Sequence, residues 1–218
     1  MEQSDTELHP QLRPILRGWS HQIAFFIALV AVAWLIRAAP AAATPLLLVY
    51  GGSLLAVFGV SALYHRVKWK TAARARMRRL DHSAIFLLIA GTCTPFTMGL
   101  PARTAHWMLS IQWGGAALGT LRILIWADAP KWLRAATYVA LGWTAVWFVP
   151  DLLKAHGTAV VLWLFAGGLA YTVGTVAYAL RRPNPWPRVF GYHEIFHAFV
   201  IGAAACHFTA VTEVAFGA

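Results

Sequence analysis

The sequence predicts an all-α integral membrane protein: a bundle of seven transmembrane helices with a cytoplasmic N-terminus and the C-terminus outside. Three observations carry this expectation. Hydrophobic residues make up 59% of the 218-residue chain and charged residues 12%, too few polar groups to cover a soluble domain of that length. Seven apolar runs fall at 22–39, 45–65, 81–100, 105–126, 132–150, 157–180 and 192–214, each near the ~20 residues a helix needs to cross the hydrocarbon core. Lys and Arg are divided very unevenly between alternate connections, as membrane topology requires.

Residues 1–20 read as a cytoplasmic tail and 21–218 as the membrane domain. The first run resembles a signal-peptide core at 23–36 followed by the small residues 38–43. However, Glu2, Asp5 and Glu7 precede it and Arg37 interrupts the approach to any cleavage site, so a first membrane helix is expected instead. Pro40, Pro45, Pro101, Pro130, Pro150 and the Pro183–Pro187 stretch punctuate the intervals between runs, where helix interiors cannot readily continue. Gly51-Gly52, the Gly115/Gly119 pair and Gly167-Gly168 offer points of close helix approach. The segment 66–79 is strongly basic, suited either to an interfacial helix on anionic lipid or to fixing topology.

With the N-terminus inside, the inner segments hold Arg13, Arg17, Arg66, Lys68, Lys70, Arg74, Arg76, Arg78, Arg79, Arg122, Lys131, Arg134, Arg181, Arg182 and Arg188. The outer segments hold Arg37, Arg103 and Lys154. The net charge of +10 therefore lies at helix ends rather than on one soluble face, and no nucleic-acid partner is expected. Cys93 and Cys206 both sit inside apolar runs and read as buried thiols rather than a disulfide.

Ionisable residues inside membrane helices are costly and usually mark a site. Four places stand out: Ser61 to His65, Asp81-His82, His193 to His197, and the deeper His207. His193 and His197 are four apart and project from one helical face, as Ser61 and His65 do. The expected topology puts His65, Asp81, His193 and His197 at one depth near the cytoplasmic surface. Any one of them alone would read as an ordinary interfacial polar residue. Together, three imidazoles suit zinc and leave a fourth position for water. Asp81 is placed to orient and deprotonate that water, and Ser61 to donate to a developing oxyanion. His82 points about 100° away from Asp81 and reads as a hydrogen-bonding residue. His207 lies ~15 Å beyond His197 along a helix and belongs to packing. His9, His21, His106 and His156, in the tail or near helix ends, call for no special role.

The stretches Ser61-x-x-x-His65, Leu80-Asp81-His82-Ser83-Ala84-Ile85-Phe86 running to Gly91-Thr92-Cys93-Thr94-Pro95-Phe96, and Gly191-Tyr192-His193-Glu194-Ile195-Phe196-His197 resemble the haemolysin III family. These are bacterial members of the progestin and adipoQ receptor group, within a superfamily that includes alkaline ceramidases. The resemblance implies a seven-helix fold with zinc near the inner leaflet of the cell (inner) membrane. It assigns the metal to His65, His193 and His197, the metal's water to Asp81, and a neighbouring place to Ser61. Cys93 stands where the family usually has an aromatic residue, a packing change that leaves the site intact.

The leading functional expectation is zinc-dependent hydrolysis of a lipid amide or ester, with membrane lipids as partners and an acyl chain held between helices. A non-enzymatic receptor or membrane-homeostasis sensor with structural zinc is the alternative. His193-Glu194-x-x-His197 also fits the zincin pattern with Glu194 as base, an intramembrane metalloprotease. That class needs a further ligand, and Glu213, the one acidic residue after His197, lies far along the helix. Pore formation is the weakest reading, since no run shows a regular polar face.

Overall fold

A computed structural model describes residues 14–217; Glu2, Asp5, Glu7, His9 and Arg13 lie outside the described residues. The described chain is helical, with α1 Trp19–Ala38, α2 Thr44–Arg66, α3 Thr71–Cys93, α4 Ala102–Ile125, α5 Lys131–Trp143, α6 Val149–Leu180 and α7 Tyr192–Gly217. Short 3-10 turns at Ala41–Ala43, Pro95–Thr97 and Thr144–Phe148 join them. Among the described residues there is no strand, and the turn before α7 holds an isolated bridge between Trp186 and Phe190.

Among the described residues, five helical stretches are long and apolar enough to cross a membrane: Trp19–Ala38, Ala41–Arg66, Ala102–Ile125, Lys131–Leu180 and Tyr192–Gly217. Two differences from the seven apolar runs have physical causes. The basic segment 66–79 is mostly helix, because Thr71–Arg79 runs straight into α3 on strong helix formers such as Ala, Arg and Met. Arg74, Arg76, Arg78, Arg79 and Asp81 thereby load the first half of α3 with charge and take it out of the apolar set. Conversely, Lys131–Leu180 is one stretch of 50 residues. It is broken by the Thr144–Phe148 turn and again at Gly157, whose φ of 80° and ψ of 177° leave the helix. Only glycine adopts such a backbone freely. The runs at 132–150 and 157–180 lie on either side of that glycine.

Packing follows the small residues. α6 and α7 share the most extensive helix contact, and α2 lies between α1 and α3. Gly119 of α4 sits under the Phe86 ring of α3, Gly51 of α2 against Val32 of α1, and Gly174 of α6 against Phe199 of α7. The outward faces are apolar, with Val30, Leu118, Ile125, Trp147 and Leu162 all exposed. Such a surface is unstable in water and suited to lipid.

Candidate metal centre

The last turn of α2 carries His65, and the first turns of α7 carry His193 and His197. Their ring centroids lie 4.8 Å (His65–His193), 5.3 Å (His65–His197) and 4.6 Å (His193–His197) apart. One nitrogen from each lies within 4.8 Å of the others, and His65 Nε2 is 3.2 Å from His193 Nε2. Two nitrogens bonded at 2.0–2.1 Å to one tetrahedral zinc would be about 3.3 Å apart. A hydrogen bond between two imidazoles has a similar length, so the converging third ring is what makes this a ligand set. His65 and His197 are buried. The donor set fits zinc: three imidazoles carried by two helices.

Asp81, nearly three turns inside α3, and Ser61, one turn before His65 on α2, are brought together. The Ser61 hydroxyl faces the Asp81 carboxyl, and both line one pocket with His193 and His197. His82 lines the same pocket and stays out of the ligand cluster; its backbone carbonyl accepts a bond from the Tyr138 hydroxyl at 3.1 Å. Glu194, which the zincin reading would make the base, is buried and fully engaged. Arg17 Nε donates to its Oε1, and the Gly191 backbone N–H donates to its Oε2 at 2.8 Å. Glu213 instead accepts from Trp163 Nε1 at 3.2 Å.

Beyond the polar pocket lies an apolar cavity between α3, α5, α6 and α7. Val57, Ile85, Tyr138, Phe196 and Val200 line both, so the two are neighbours that share these side chains as walls. The cavity runs along α7 to His207, whose Nε2 donates to the Leu164 carbonyl at 3.2 Å. Its outer wall includes Val146 and Phe165, which are also exposed on the lipid-facing surface.

Residues 10–208 match the family described as Haemolysin-III related. The chain belongs to that family. It is similar to a Hemolysin-3 homolog of Bacillus subtilis (strain 168), 32% identical over 75% of this chain and 74% of that protein. It is also similar to the human monocyte to macrophage differentiation factor, 28% identical over 75% of this chain and 67% of the relative. An adiponectin receptor protein of Drosophila melanogaster is 28% identical over 72% of this chain and 39% of its own length. With these relatives and its apolar helices, this haemolysin-III-related protein is an integral, multi-pass membrane protein.

Two contributions to the haemolysin-III-related site escaped the sequence reading. His21 of α1 is buried and its ring lies flat on that of His197, 3.7 Å between centroids and 8° between planes. Arg17, which reads as one more positive-inside residue, reaches Glu194 between the two α7 histidines. Neither shows in helical spacing, because each partner lies at the far end of the chain. The two cysteines are free thiols, Cys93 buried and Cys206 half-buried.

Proposed function

We propose that this protein is a zinc-dependent hydrolase of lipid amide or ester bonds, with His65, His193 and His197 holding the metal and the lipid's acyl chain in the apolar cavity. The observation that carries the reading is a cluster of three imidazoles, two of which share a polar pocket with Ser61 and Asp81 beside that cavity. Zinc held by three imidazoles supplies Lewis acidity and lowers the pKa of water. In this reading the Asp81 carboxylate orients the attacking water and takes its proton. Ser61, beside Asp81, offers its one hydroxyl proton to the oxygen that gains charge. The apolar lining aligns the acyl chain and excludes bulk water from the reacting carbonyl. The engaged carboxylate of Glu194 leaves Asp81 as the base.

The bundle is read as seven crossings. Lys131–Leu180 counts as two, separated around Gly157, and α3 crosses despite its charged start because its second half, Ala84 to Cys93, packs against its neighbours. Residues 1–20 then form a cytoplasmic tail and 21–218 the membrane domain, with the site at the inner leaflet.

Purified protein in lipid nanodiscs, presented with ceramides and other acyl lipids, tests the activity. Release of fatty acid by the wild type and its loss in Asp81→Ala is the expected result. Protein that holds zinc and releases no fatty acid from any of them overturns it in favour of a receptor or sensor with structural zinc.

A further inference from the structure

We infer that His21 is a positioning residue for the metal centre, fixing the His197 ring by stacking where no hydrogen-bond acceptor does so; this rests on the zinc reading above. A metal-bound imidazole ordinarily donates its second nitrogen to a carboxylate, carbonyl or water, which sets tautomer and ring plane. His197 Nδ1 is buried and meets no hydrogen-bond partner among the described residues. Its χ2 torsion is intrinsically broad, so some other contact must hold the plane. Of the rings that touch His197, those of His65, His193 and Phe196 meet it at steep angles, and the His21 ring, 3.7 Å away, is the nearest and the one that lies parallel.

His21 is itself held in place. Phe58 of α2 abuts its ring edge-on, with centroids 5.2 Å apart and planes at 62°. One turn earlier in sequence, Arg17 clamps Glu194, three residues before His197. Backbone bonds from Ile15 N to Arg188 O (3.0 Å) and Leu16 N to Val189 O (3.2 Å) fasten the same segment to the approach of α7. Between these contacts Gly18, with φ 82°, lies against Cβ of His65. The start of α1 therefore touches the helix ends that carry all three candidate ligands, and His21 is the part that meets a ligand ring face to face.

The test compares a flat replacement with a flexible one. His21→Phe keeps a ring in the stack; His21→Leu and His21→Met remove it at similar bulk. Zinc affinity by chelator competition and the visible ligand-field spectrum of the cobalt-substituted protein are read, with thermal unfolding of the metal-free protein as control. Expected is near wild-type affinity and spectrum for Phe. Leu and Met should bind about 10- to 100-fold more weakly with a shifted cobalt band and metal-free unfolding close to that of Phe. If Leu fails to fold, Met carries the comparison. Unchanged affinity and spectrum in the flexible variants, or equal loss in Phe, overturns the inference while leaving the zinc reading standing. A wild type that holds neither metal overturns both.

Discussion

Arg17 and Glu194, 177 residues apart in sequence, form a buried ion pair that ties the approach to the first helix to the start of the last. The Glu194 side chain is 2% exposed and that of Arg17 19%, so removing either partner strands a charge in a poorly solvated place. Glu194→Gln is expected to lower stability by on the order of 3 kcal/mol, measured by thermal unfolding in detergent. Fatty-acid release per zinc-loaded molecule should survive in the same variant. Its complete loss in folded, loaded protein would make Glu194 the base and return the zincin reading.

Metal content separates ligands from their neighbours. His65→Ala, His193→Ala and His197→Ala are each expected to lose bound zinc, while Asp81→Ala retains at least part of it, since Asp81 lies outside the ligand cluster. Elemental analysis of the purified variants measures this. Equal zinc in all of them would dismantle the site.

The apolar cavity offers a test independent of the metal. Gly168 lines it, and a Cβ there meets nothing within 4 Å. Gly168→Phe should therefore fill the space with little strain and shorten the acyl chain the protein accepts, with zinc content unchanged. Activity profiles across acyl lengths show the shift; an identical profile would place the chain elsewhere.

At the α3–α4 crossing, a Cβ on Gly119 would collide with the Phe86 ring, and Phe86 is 1% exposed. Gly119→Ala is expected to cost about 1–3 kcal/mol through overpacking. Phe86→Leu in the same chain should return part of that loss. Additive unfolding shifts in the double variant would argue against a direct clash.

Much of this architecture was legible in the apolar runs. Helices α1, α2, α4 and α7 begin and end within a few residues of them, because apolar composition and proline punctuation act locally. The i, i+4 spacing of His193 and His197, with His65 at the end of its own helix, made the meeting of the three histidines legible too. What stayed hidden depends on partners distant in sequence. The His21 stack requires knowing that α1 packs on α7, and the Glu194 carboxylate reads as a catalytic base until Arg17 is seen to occupy it. The charged start of α3 hid in another way: its basic residues look like a loop, yet their helix propensity extends the helix through them.

That charged half of α3 bears on biosynthesis. With Arg74, Arg76, Arg78, Arg79 and Asp81 in its first half, α3 partitions into lipid less readily than the more apolar helices, although charges near a helix end cost less than the roughly 2.5–3.5 kcal/mol of one at the centre. In the seven-crossing reading it integrates with help from α2 and α4, which pack against it, so a chain halted before α4 emerges would hold Asp81 in the membrane less firmly than the finished protein does.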